Sequence, residues 1–575
     1  MASKDDVHFD AFERLLDQWP RREFLRRMGA GAALAAFLGG AGSVLESCGQ
    51  SGGGGGSGSG TPQKGGHIVE VLANELQTLN PVLSSDVYSN GAISLIYDGL
   101  YTDDYKGDQV PMLAKAAPRV SSDQKTYTIS LGDASWTDGK PVTADDVKFT
   151  YDLMWDPRYK AVNSPRRADL EKYVASITVK DAKTIVFELT QPYAPFVSSQ
   201  LEYGVLPKHA WESLAPEAVN TTDLNRKPTV TNGTFRDPAW VKGQQITFTA
   251  NKGYHRGAPN LDTWVTRKAP ASTQILNLLK TGEVDVTNAL DPSQFDAAKA
   301  VSALDVYSYA SLGILFYLYN MDPAKTRLFV DRRVRQALLY ALDREAIGQS
   351  IWFGQVVVAN SVEPPPSWAY IPNIKPQYPH DQKKAEQLLD EAGFKVGSDG
   401  IRAKGDLKLQ FTMLTNAGVK PRENTLVAMQ NQWKKIGVAA SPKFVDFSLE
   451  LVPEVTNKRD FQIAMLGFSW TSDPDQETLW ASENTRKGGF NGMDYRNPKL
   501  DRIINQAIAT TDRGRRKQLY RQMQEILAED LPAPVLFFPK TIVTTNKRVH
   551  GYKLNAFVSS AKRLFAKDVW VSTNQ

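Results

Sequence analysis

Cysteine is almost absent from this chain: Cys48 is the only one in 575 residues. A disulfide framework is therefore excluded, and stability has to come from buried area. Histidine is scarce too, with six widely scattered copies and no His-Glu-x-x-His or Cys/His spacing that would hold zinc. Dense runs of one charge are missing, and the net charge is only +5, which argues against nucleic acid as a partner. No Walker A glycine loop occurs, so ATP hydrolysis is not expected here. Gly49-Gln50-Ser51-Gly52-Gly53 has the form of a nucleophile elbow, but it lies in low-complexity sequence with no strand before it. The uncharged stretch from Met28 to Leu45 is dominated by glycine and alanine, a poor composition for a membrane-spanning helix.

What is present begins with an address. Arg21-Arg22 precedes that stretch, and Leu45-Glu46-Ser47-Cys48 closes it. A basic start, a short apolar core and a small residue before the cut describe an export signal. The segment resembles a twin-arginine lipoprotein signal, which implies that residues 1–47 are removed and that Cys48 carries the lipid. Residues 48–64 are nearly all Gly, Ser, Thr, Pro and Gln and read as a flexible tether. The expected location is the outer face of the cytoplasmic membrane.

With 42% apolar and 23% charged residues, the rest reads as a globular body too long for one core. Its pattern is mixed α/β. Ile68–Leu72 reads as a strand, and Tyr127–Leu131 alternates with period two. Thr143 with Asp146 three residues on forms a capping box for a helix burying Val147, Tyr151 and Met154. Residues 177–179 and 184–189 read as a hairpin. Asp331 is placed to cap a helix, and Gly393 to stop another. Residues 407–414, 422–436 and 443–447 read as strand, helix and strand, a βαβ unit that favours parallel pairing. Leu500, Ile503, Ile504, Ala507 and Ile508 line one helical face.

Several blocks then match one family in order along the chain. They include Ser94–Tyr101, Val110–Ala114, Trp136–Val147, Gln191–Phe196, Leu206–His209, Leu279–Asp285, Asp331–Ala337, Ala341–Arg344, Lys384–Gly393 and Asp473-Pro474-Asp475. The chain resembles the oligopeptide/dipeptide-type solute-binding proteins, family 5, over about residues 65–556. The resemblance implies a two-lobed α/β fold joined by two crossover segments near Ser308–Tyr319 and Pro532–Phe538. Lobe I would span 65–310 and 535–575, and lobe II 311–534. It also implies a monomeric receptor that hands solute to an ABC permease, with no cofactor, no metal and no catalysis.

The resemblance places Phe468, Ser469, Trp470 and Thr471, just before the Asp-Pro-Asp turn, in the ligand cleft. Tyr88, Ser89 and Asn90 would face the same cleft. Trp136 and Trp433 fall in scaffold motifs and read as core. Asp473, Asp475 and Glu477 alternate as a cation site would, but as a turn their carboxylates are expected to cap backbone amides. Two departures bear on the ligand. Peptide-binding members carry an aspartate, which pairs with the ligand ammonium, where Trp470 stands. Dipeptide binders carry a carboxylate-gripping arginine where an ungapped count finds Asn416, with Lys420 and Arg422 close by. A peptide held through its backbone, an oligosaccharide stacked on aromatics, or another amphiphilic solute each fits this pattern. A secreted hydrolase or a non-transport sensor lipoprotein are the rival readings, though no motif nominates a catalytic pair.

Overall fold

The strand His67–Leu72 runs parallel to Thr263–Lys268, with Ile68 opposite Trp264, and parallel to Val286–Thr287. Strands Gln245–Ala250 and Phe235–Val241 extend this sheet antiparallel. The computed structural model describes residues 61–72, 75–269, 272–552, 555–557 and 565–572. Arg21, Arg22, Cys48 and most of the tether lie outside the described residues. Among those described, no helix is long and apolar enough to cross a membrane.

A separate four-stranded antiparallel sheet holds Arg119–Val120, Thr126–Ser130, Thr184–Leu189 and Val174–Asp181 in that spatial order. The helix Ala144–Trp155 packs on it and starts as expected: Asp146 accepts from the backbone N–H of Thr143 at 2.9 Å. Val147, Tyr151 and Met154 are all buried.

The other half of the chain builds around Gly313–Tyr319 and Ile463–Ser469, which pair antiparallel. Ile463–Ser469 then pairs parallel with Gln410–Asn416, and that strand parallel with Ala439–Val445. The helix Lys420–Lys434 makes the crossover, with Pro421 in its first turn where no N–H is missed. The last strand starts earlier than its sequence suggests because Pro442 lies inside it. The strand is at the sheet edge, where a missing N–H is tolerated.

Strand pleating divides this sheet into two faces. Leu315, Tyr317, Ile463 and Met465 face one core beneath the helices Arg332–Tyr340, Gln382–Glu391 and Lys420–Lys434. Ile314, Phe316, Ala464 and Trp470 face a second core with the helices Pro498–Ile508 and Arg513–Asp530. Trp433 fills the first core with no exposure, and its indole N–H donates to Leu338 O at 2.7 Å. Burying such a ring stabilises by roughly 4–6 kcal/mol from area alone.

The molecule is two-lobed, and one long strand, Val535–Asn546, serves both lobes. Its first residues pair with Gly313–Tyr319 and Val356–Val358. From Lys540 onward it pairs with Leu304–Ala310, then with Val286–Thr287. The change of partner falls at Pro539–Lys540, a little beyond the expected crossover at Pro532–Phe538. The second crossing is at Ser311–Leu312, between paired strands. The apolar cores respect this division. One set draws on residues 68–310 and 542–571, with Ile508 the one residue from elsewhere; the other draws on 312–538, with Phe557 packed against it.

Candidate functional site

The strand Ile463–Ser469 emerges from between the two cores of the second lobe and ends facing the first lobe. Ser469 and Thr471 are exposed there, and Thr471 Oγ1 donates to Asp473 O at 3.0 Å. The half-buried Phe468 ring lies 4.9 Å from Trp470 and 6.2 Å from Phe490, which is 46% exposed. Trp470 is only 7% exposed and packs into the second core, its backbone N–H donating to Leu312 O. Its indole N–H has no acceptor. An unmet buried donor costs about 1–3 kcal/mol, so this ring is a partial core residue with one unused polar atom.

Gly467, three residues earlier, turns to the opposite face of the strand. Arg422, from the first turn of Lys420–Lys434, lies against it. Its Nη1 donates to Asn416 Oδ1 at 2.8 Å, and no carboxylate among the described residues is within ion-pair distance. Burial pushes the guanidinium below its usual range, and the Tyr88 hydroxyl pulls the other way. Tyr88 belongs to the first lobe. The sequence count had pointed to Asn416; the structure makes Asn416 the acceptor that steadies Arg422. Lys420 is pointed elsewhere, paired with Glu423 at 2.6 Å.

The helix Val87–Ile96 presents Tyr88 because Asp86 caps it, accepting from the N–H of Tyr88 at 3.0 Å and of Ser89 at 2.8 Å. Ser89 is fully buried. Its Oγ accepts from the amides of Gln77 at 2.9 Å and Thr78 at 3.3 Å, so this hydroxyl is used by the scaffold. Asn90 is half-buried and borders a cavity of about 170 Å³ shared with Tyr97, Tyr101 and Glu202.

The Asp-Pro-Asp turn does cap amides: Asp473 accepts from Asp475 N at 3.1 Å, and Asp475 from Glu477 N at 3.0 Å. Asp473 also takes two hydrogen bonds from Arg516, at 2.7 and 2.6 Å. The rest of the turn joins the lobes. Ser472 Oγ donates to Asp103 at 2.6 Å, and Tyr193 OH to Asp475 at 3.2 Å. Tyr173 OH donates to Glu477 at 2.5 Å; Lys172 bridges Glu477 and Glu483. Tyr173 and Tyr193 stack with centroids 3.8 Å apart. Burial lifts Asp475 to about 7, reinforced by Glu477, and it lifts Glu477 against the pull of Lys172 and Tyr173. With these oxygens taken by amides, tyrosines, Lys172 and Arg516, the alternating acids are a seam between lobes. Lys172, Tyr173 and Arg516 were not foreseen; only Tyr193 lay in a motif, Gln191–Phe196.

Two α/β lobes with separate cores, two strand crossovers and an interface carrying a guanidinium without a carboxylate partner are the architecture of a solute-binding protein. Residues 108–490 match the family of bacterial extracellular solute-binding proteins, family 5 Middle. The oligopeptide-binding protein AppA of Bacillus subtilis is 30% identical over 499 residues, covering 86% of this chain and 90% of AppA. The chain belongs to the family 5 solute-binding proteins. The structure of AppA in complex with a nonapeptide superposes with a TM-score of 0.77 at 29% identity, covering 89% of this chain and all of that one. NikZ from Campylobacter jejuni in complex with Ni(L-His) gives 0.73 at 26% identity, covering 85% and 96%.

Proposed function

We propose that this protein is the extracytoplasmic receptor of an ABC importer for peptides, tethered to the membrane through a lipid on Cys48 after twin-arginine export. It works as a monomer, with lobe I at about 65–310 and 540–575 and lobe II at about 311–539, the shared strand passing from one to the other at Pro539–Lys540. Solute enters between the lobes, closure buries it, and the closed form docks on the permease. Ligand drives closure only by binding the closed form more tightly than the open one. No step makes or breaks a covalent bond, so the protein acts as a receptor and not as an enzyme.

The observation that carries this reading is Arg422. It is a half-buried guanidinium without a carboxylate, opposite Tyr88 of the other lobe. A ligand carboxylate or carbonyl completes it. Phe468, Trp470 and Phe490 supply an apolar wall beyond the strand end, with Ser469, Thr471 and Asn90 as polar contacts. The AppA relative supports peptide as the solute class.

Mass spectrometry of the solute released by denaturing the purified protein tests the reading. A ladder of peptides is expected. A second reading, a non-peptide solute, is favoured by Trp470 standing where peptide binders keep an acid, and a single sugar or other small molecule would establish it. Arg422→Gln is expected to weaken capture by about tenfold or more, as loss of a charge-assisted hydrogen bond does; unchanged affinity in titration calorimetry would remove Arg422 from the site.

A further inference from the structure

Gly467 and Arg422 occupy one volume between them. A methyl group on Gly467 would overlap Nη2 of Arg422 and stand 3.1 Å from its Cζ, while the next nearest atom, Ile314 O, is at an ordinary 3.7 Å. The missing Cβ is therefore the space in which the guanidinium lies. Asn416 then fixes the rotation of that guanidinium through Nη1. Asn416 is itself held by its strand, where it is the last residue paired with Ala439–Val445. The nearby carboxylate, Glu423, is spent on Lys420 and on the N–H of Gly418. At the end of the strand, Trp470 offers another unpaired donor, its indole N–H. The unused groups near the strand end are thus N–H donors. The acids of the Asp473–Glu477 turn already have partners.

We infer that Gly467 and Asn416 are positioning residues that aim Arg422 at a ligand carboxylate, so that this receptor sorts peptides by their acidic end and is indifferent to their amino end. The inference rests on the peptide reading above. It assigns a steric role to a glycine whose backbone lies in ordinary extended strand, where conformational freedom is not needed.

The test uses titration calorimetry of the ligand-free full-length protein with four forms of one tetrapeptide, Ala-Ala-Leu-Phe: free, amidated at the C-terminus, acetylated at the N-terminus, and both. The native protein is expected to lose about tenfold or more on amidation and less than about threefold on acetylation. Gly467→Ala is expected to bind acid and amide equally, because the guanidinium is displaced, with a melting temperature close to native. The close contacts of the methyl are with the end of a flexible side chain. Asn416→Leu should shift the preference the same way by a smaller factor, and it carries the test should Gly467→Ala fold poorly. In an Arg422→Gln background, adding Gly467→Ala should change affinity no further, a non-additivity that a merely structural glycine would not produce. Equal binding of acid and amide by the native protein, or an acid preference that survives Gly467→Ala and Asn416→Leu, overturns the inference and leaves the receptor reading intact. Failure of all four peptides to bind the native protein overturns the peptide reading and the inference together.

Discussion

Glu363 is buried without exposure; Gln476 donates to Oε1 at 2.5 Å, and the Ser367 hydroxyl also favours the charged form. Burial pushes it to about 8 from an ordinary 4.5. A raised carboxyl favours the folded state in its protonated form, so stability falls as pH rises from about 4.5 to about 8 and then levels. Glu363→Gln should leave the melting temperature unchanged at pH 4 and raise it above native at pH 8.5; equal melting of both proteins at pH 8.5 would refute this. At this scale the sequence was only partly informative. Trp470 could be assigned to a strand end, but the pleat that sends it to one face and Gly467 to the other depends on pairing with Gly313–Tyr319. Counting put Asn416 first and Arg422 only close by, because the turn at Gly418, with φ of +86°, and the helix start at Lys420 that bring the guanidinium back to the strand carry no spacing signal. Ser89 read as a ligand contact because its motif carries no sign that its hydroxyl would be consumed by the amides of Gln77 and Thr78.

Elements with local signals were legible. Asp331 caps Arg332–Tyr340 as expected, accepting from Arg333 N at 2.9 Å. Asp331→Ala should cost about 1 kcal/mol and lower the melting temperature by roughly 1–4 °C, read by calorimetric scanning; no change would mean that the exposed Arg333 pair and the cap are both immaterial. The capping box at Thr143 and the stop at Gly393, whose φ is +91°, were likewise visible because each is a short-range contact. Ala439–Val445 was not fully visible. Its proline makes sense only once the strand is known to be at an edge, and edges are a property of the assembled sheet. The two π-helical turns, Phe447–Leu451 and Glu454–Lys458, had no local signature either.

The molecule as a whole was legible only through the order of family motifs, since nothing in periodicity says that residue 543 returns to the strands near residue 305. The seam between lobes was therefore invisible. It is a polar contact between two cores, and its members are far apart in sequence. Lys172 is about one-third exposed where it bridges Glu477 and Glu483. Lys172→Met should destabilise the closed form by about 1 kcal/mol, quickening ligand release roughly fivefold with little change in association. Stopped-flow displacement reads this directly, and an unchanged release rate would show that the seam does not hold the lobes shut.

The strand shared by both lobes also sets a timetable. A ribosome delivers Val535–Asn546 after nearly everything else, yet Val286–Thr287, Leu304–Ala310, Gly313–Tyr319 and Val356–Val358 all pair with it. Through most of synthesis these four strands wait with unfilled hydrogen-bonding edges, the condition in which nascent chains stick to one another. Neither half can complete its sheet ahead of the other. The same residues that join the lobes of the finished protein thus make its birth all-or-none, and a chain cut short before residue 535 would leave two unfinished sheets.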